Sequence, residues 1–309
     1  MKLPFYRTFR RAREIGLDRT ISALVAVSLQ SFLAKARYFP ECAITDINGS
    51  KMWVLPRSGG IHSDLFLYGR REPICTQYLM QSDLIGRGDC VLDIGANIGY
   101  YVLLESKLVG SQGKIYAVEP VLNNFNLLTK NVKLNNLANV STHQLAIGDR
   151  NCEAKIYVSN QANLCRMEKY EDTDIVDTQE VEVKTVDTFL KNKETPKLIR
   201  MDVEGYEYEV LKGMSQTLKK DIALLIEVHP QFLRGKIDDF LNILEKNNFK
   251  VRFAVDENKV EENKIMQSLV KKAEDKKLPA YLANTSLSEL KREIAGNTDF
   301  APNVFFQKT

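Results

Sequence analysis

The chain has 309 residues, 44% hydrophobic and 27% charged, with a net charge of +3. These are the proportions of an ordinary soluble globular protein, and the small net charge excludes a nucleic-acid-like field over the whole molecule. Its five cysteines, Cys42, Cys75, Cys90, Cys152 and Cys165, contain no C-x-x-C, and the odd count argues for reduced thiols rather than a disulfide framework. His62, His143 and His229 are not spaced like zinc ligands either, so no metal is assigned from spacing.

Charge is uneven along the chain. Residues 1–40 hold eight Lys/Arg against Glu14 and Asp18, a net of +6, which leaves the remainder near −3. Phe5, Phe9, Ala12 and Ile15 recur at helical spacing among Arg7, Arg10, Arg11 and Arg13. The apolar run at 21–34 is fourteen residues long, short of the roughly 20 that span a bilayer. Residues 1–43 therefore read as a basic helical extension, packed on the domain or against a second copy. Peripheral attachment to an anionic membrane face is the sharper alternative. The expected location is the cytoplasm, on the inner membrane face if that attachment is used.

Residues 44–309 read as one domain, with a lead-in at 44–88 and a core at 89–309. Asn48-Gly49 marks a hairpin turn, and residues 44–70 look like short strands. A helix is predicted over 74–84. The core opens on Val91-Leu92-Asp93-Ile94-Gly95-Ala96-Asn97-Ile98-Gly99-Tyr100. This is a buried strand, a glycine turn and a helix start, an arrangement that binds cofactors. It is not G-x-G-x-x-G, because Asn97 stands where a pyrophosphate turn wants bare backbone. The next strand, 114–118, ends in Glu119, 26 residues after Asp93. A carboxylate there can accept both hydroxyls of a ribose.

Strands are then predicted at 140–145, 154–159, 181–185, 198–201, 222–228, 250–255 and 303–307. Helices are predicted at 121–134, from 186, at 206–218 and at 236–247. Residues 161–179 read as a surface loop, and 257–296 as charged and helical. The alternation implies a parallel α/β sheet with helices on both faces, closed by an antiparallel last strand. Ala146-Ile147-Gly148-Asp149 is a small-residue turn placed to lie over an adenine ring, with Asp149 in reach of its amino group.

At this point the chain resembles the FkbM family of S-adenosylmethionine-dependent methyltransferases. The resemblance rests on the glycine turn 91–101, Ala117-Val118-Glu119-Pro120, Asn131 with Asn135, 146–149, Val186-Asp187, Asp202-Val203-Glu204-Gly205 with Glu207, Val210-Leu211-Lys212-Gly213 and Glu227-Val228-His229. Arg71-Glu72-Pro73 looks like the family's approach to the core, and Arg200 departs from the more usual lysine. The resemblance implies a Rossmann-like, seven-stranded class I methyltransferase sheet, here with an N-terminal helical extension and a small β element. It implies S-adenosyl-L-methionine as cofactor, held by Asp93, Gly95, Asn97, Gly99, Tyr100, Glu119, Ala146, Ile147, Asp149 and Asp202. It also implies O-methylation of a hydroxyl on a sugar, glycan, lipid or other small natural product.

Transfer to a hydroxyl needs a proton acceptor near the sheet's carboxyl end. His229, Asp202 and Glu204 are the candidate catalytic residues. Asp202 and Glu204 share a face if their strand persists. A divalent metal on Asp202, Glu204 and Glu227 is the alternative solution. Glu207 and Lys212 read as a solvated helix face. Competing classes are a non-catalytic cofactor-binding protein with this fold and a nicotinamide oxidoreductase. Nucleic acid is not an expected substrate, since the core carries no basic stripe.

Overall fold

The computed structural model describes residues 39–159, 175–233, 235–256, 286–295 and 301–308. The N-terminal extension at 1–38, most of the expected loop (160–174) and most of the charged stretch (257–285) lie outside the described residues. The lead-in begins with a hairpin, β1 (Ala43–Ile47) and β2 (Ser50–Val54), paired around Asn48-Gly49. The segment after the hairpin is not a strand. Residues Gly60–Tyr68 form helix α1, in which Ile61, His62, Ser63 and Leu65 are buried. Consecutive glycines at 59 and 60 look like a break in sequence, but both adopt positive φ and start the helix. Helix α2 (Pro73–Gln81) begins at its proline, as that residue favours.

The core alternates β3 (Cys90–Ile94), α3 (Tyr100–Val109), β4 (Lys114–Val118), α4 (Leu122–Leu134) and β5 (Val140–His143). Next come β6 (Ala146–Ile147), β7 (Cys152–Ser159), β8 (Ile175–Lys184), α5 (Val186–Phe189), β9 (Leu198–Met201) and α6 (Glu207–Lys212). The chain ends with β10 (Ala223–Glu227), α7 (Ile237–Lys246), β11 (Phe249–Val255), α8 (Leu287–Ala295) and β12 (Asn303–Lys308). Among the described residues the main sheet has seven strands, in the order β11-β12-β10-β9-β3-β4-β5. β12 runs antiparallel to both of its neighbours, and the strands from β10 to β5 are parallel. Alternate strand residues feed two cores. Val91, Leu198 and Leu225 face α1 to α4, while Leu92, Ile199 and Leu224 face α6 to α8. Burial on both faces explains why these strands read as unbroken apolar runs.

Two expectations change here. Residues 146–147 are a short strand rather than a turn, in a second sheet ordered β6-β8-β7. β8 starts at Ile175, so the end of the expected loop is strand. Asn131 and Asn135 gain a purpose as well. Asn131, fully buried on α4, accepts from Trp53 N (2.7 Å) and donates to Ile98 O (2.9 Å). Asn135 brackets Lys51, accepting from its N (2.9 Å) and donating to its O (2.6 Å). Together the two amides fasten the lead-in hairpin to the helix beside the glycine turn.

Candidate active site

The carboxyl ends of β3, β4 and β9 open onto a cleft of about 930 Å³, its open mouth included. Of the expected site residues, Gly95, Asn97, Tyr100, Glu119, Ala146, Ile147, Asp202 and Glu204 line it, with Ala96 beside them. Gly95 has φ +80, and a Cβ there would stand 1.9 Å from the Asp202 carbonyl oxygen. Only glycine fits between two strand ends that approach so closely.

Glu119 is 4% exposed. Its Oε2 accepts from Asn97 N (2.8 Å), and its Oε1 from Val121 N (3.0 Å) and Asn124 Nδ2 (3.4 Å). Burial pushes this carboxyl up to about 7, against the pull of those three donors. Asn97 turns its own Oδ1 back onto Ile98 N (2.9 Å), holding a left-handed backbone in place. Leu145, Ala146, Ile147 and Ile156 make the apolar wall. The Tyr100 hydroxyl donates to Arg71 O (2.7 Å), so that side chain braces the wall.

Four expected site residues do not line the cleft. Asp93 lies beneath it, fully buried, with Oδ1 accepting from Arg200 Nη1 at 3.0 Å. Gly99 packs against Leu128. Asp149 pairs with Lys212 at 3.0 Å near the surface. His229 stands behind Glu204, 5% exposed.

The strand bearing Arg200 ends at Met201, so Asp202 and Glu204 do not share a strand face. A turn brings both to the cleft instead, with Glu204 at φ 52. Glu72, also left-handed at φ 46, approaches from the lead-in. Non-glycine residues held in this region concentrate at functional sites. Glu207 corrects the sequence reading. It is not on a solvated face but 0% exposed, and it accepts from Gly205 N (2.9 Å) while meeting His229 Nδ1 at 2.7 Å. Burial opposes charge on His229, but Glu207, Glu204 and Glu227 outweigh it and hold the imidazole well above its usual range. A protonated ring has no lone pair with which to take a further proton.

The sequence reading did not place Arg71, Tyr101 or Arg200 in the lining. Arg200 joins Asp93 to Asp202 (3.1 Å) and stacks on the Tyr101 ring at 4.0 Å. A flat guanidinium can do all three, whereas a lysine ammonium cannot. The signal for Arg71 was the Arg71-Glu72-Pro73 string, but no spacing rule ties it to a turn so far downstream.

The Methyltransferase FkbM domain matches residues 93–251, just over half of the chain. The chain belongs to the FkbM methyltransferase family. Two curated relatives are similar to it. One is "Methyltransferase 1" of Beauveria bassiana, 28% identical over 144 residues, 40% of this chain and 57% of that protein. The other is "Hexuronic acid methyltransferase AglP" of Haloferax volcanii, 28% identical over 153 residues, 46% of this chain and 56% of that protein. The chain thus spans little more than half the length of these relatives. A solved structure, a putative rRNA methylase from Clostridium thermocellum, overlaps with a TM-score of 0.42 and 11% identity, over 76% of this chain and 93% of that one.

The cofactor of this FkbM domain is S-adenosyl-L-methionine, and the cleft suits it. Glu119 would hold the ribose hydroxyls, the apolar wall the adenine, and the bare backbone at Gly95 the amino-acid end. Bound there, the cofactor supplies a methyl group on a sulfonium. Among the described residues no helix is long and apolar enough to cross a membrane.

Proposed function

We propose that this FkbM domain transfers a methyl group from S-adenosyl-L-methionine to a hydroxyl of a sugar or glycan. The observation that carries the reading is the pairing of Gly95 and Glu119 at adjacent strand ends with acidic Asp202 and Glu204 across the same cleft. The relative named for hexuronic acid supports a sugar acceptor. In the reaction, an acceptor oxygen forms the new C–O bond as the C–S bond breaks, and the hydroxyl proton leaves to a carboxylate. Glu204 is our candidate for that proton, since it lines the cleft on a left-handed backbone at φ 52. His229, held against Glu207 at 2.7 Å and facing Glu204 at 3.6 Å, is not taken as the base. Alignment of the two reactants supplies much of the remaining acceleration.

The test is transfer of radiolabelled methyl from the cofactor to free and glycan-linked uronic acids and neutral sugars. Label stable to mild alkali marks an ether on a hydroxyl, as expected. Alkali-labile label marks a carboxyl ester and overturns the hydroxyl assignment. Cofactor binding with no transfer to any sugar favours the non-catalytic reading.

A further inference from the structure

We propose that Asp202, Glu227 and His229 form a site for one divalent cation of the Mn²⁺ type, two oxygens and one imidazole nitrogen, with Asp202 the member that lines the cleft. The cation's role rests on the methyl-transfer reading above, where it would hold and acidify the acceptor hydroxyl. Its binding does not depend on that reading.

One ligand atom from each of the three residues lies within 4.8 Å of the other two. The three are brought together by adjacent parallel strands, because Ile226 of β10 pairs with Met201 of β9. Asp202 follows one strand, Glu227 ends the other, and His229 comes two residues later. The sequence alternative named Glu204 as the third ligand; the fold supplies His229 instead.

The imidazole is set as a ligand should be. Its Nδ1 meets buried Glu207 at 2.7 Å, and Glu207 is itself held by the Gly205 N–H at 2.9 Å. A carboxylate behind the far nitrogen fixes ring orientation and raises donor strength, as in many metal sites. Nε2 then faces Glu204 at 3.6 Å and Glu227 at 3.9 Å. The Glu227 separation is too long for a hydrogen bond, yet it suits two ligands that each stand about 2.1 Å from a shared ion; Glu204 stays outside the ligand set. Cation entry displaces any proton on Nε2.

A second observation is independent of the cluster. Asn303 is the cross-strand partner of Glu227, so both side chains lie on one face of the sheet. It is 3% exposed, and its Nδ2 donates to Glu72 at 3.4 Å, which fixes the amide orientation. Its Oδ1 meets no donor among the described residues. A buried carbonyl oxygen left unsatisfied across the strand pair from Glu227 is accounted for by a cation or its bound water. One imidazole with two carboxylates suits Mn²⁺ better than an all-oxygen Mg²⁺ cage.

The experiment uses the chelator-treated full chain without cofactor or acceptor. Mn²⁺ is titrated, and the free-ion electron paramagnetic resonance signal reports uptake. One ion per chain is expected, with at least tenfold weaker binding in Glu227→Gln and in His229→Gln. Asn303→Leu, which removes no proposed ligand, should weaken binding by a smaller factor. A cooperative melt of each variant establishes that it is folded. No saturable uptake, or equal uptake by wild type and both ligand variants, overturns the proposal. Uptake without methyl transfer to any acceptor keeps the cation site and sinks the function. Transfer unaffected by chelation, with no uptake, does the reverse.

Discussion

Glu119 is buried and yet accepts two backbone N–H bonds, one from the glycine turn and one from the start of α4. Its carboxyl is raised from 4.5 to about 7, so the folded chain holds the proton more tightly than the unfolded one. That contribution to stability is complete below pH 4.5 and is lost as pH rises through about 7. Cofactor binding runs the other way, because only the ionised carboxylate accepts from both ribose hydroxyls. Affinity for S-adenosylhomocysteine should therefore rise as pH climbs through about 7. Calorimetry of Glu119→Gln should show binding weakened by roughly tenfold, in line with one charged hydrogen bond, and flat with pH. An unchanged pH profile in that variant would remove the carboxylate from the site. Arg200→Ala strands Asp93, which is 0% exposed. The loss expected is about 3–5 kcal/mol by urea unfolding, with Arg200→Lys intermediate because it keeps the charge but not the fork.

At the scale of elements, the sequence announced α4 but not what α4 does. Its amides replace a missing strand partner for β2 and hold the turn at Ile98. Asn131→Leu leaves Trp53 N and Ile98 O without that side chain, at about 1–3 kcal/mol for a buried group left unpaired. The expected readout is a lowered melting temperature together with weaker cofactor binding. The first without the second would show that the clasp does not reach the turn. Asp187 works similarly, accepting from Gln216 N (2.9 Å) and Thr217 N (2.8 Å) after the Leu211-Lys212-Gly213 segment. Gly213 is required there because a Cβ would stand 2.0 Å from Gly148 O. Helix α1, absent from the sequence reading, carries His62, whose Nδ1 accepts from Leu55 N at 3.2 Å. Burial lowers this imidazole from 6.5 to about 4. The unfolded chain then takes up the proton first as pH falls. Stability present above pH 6.5 should drain away toward pH 4, by of order 3 kcal/mol. His62→Gln should flatten that limb of a stability-versus-pH curve.

For the whole molecule, the fold class followed from alternating apolar strands and helices, because a parallel sheet buried on both faces is their common solution, whereas the strand order came from the structure. The basic segment 1–40 and the core have opposite net charge, +6 against about −3. The proposed membrane contact predicts that the full chain sediments with anionic vesicles and that deletion of residues 1–40 abolishes this. Equal sedimentation of both forms would reject it. Neutral vesicles should bind neither, since the attraction is electrostatic.

The sequence by itself determined the local devices: the glycine turn, the acid one strand further on, the Asp-Val-Glu-Gly motif at a strand end and the antiparallel last strand. Each is written in a few contiguous residues, where backbone conformation and periodicity leave a direct trace. Only the tertiary structure decided that Glu207 is buried against His229, that Arg200 ties Asp93 to Asp202, and that Glu72 and Asn303 reach the same acidic corner. Those side chains meet across separations of up to 231 residues. No local pattern encodes such a meeting, because it depends on which strand ends the sheet order places side by side.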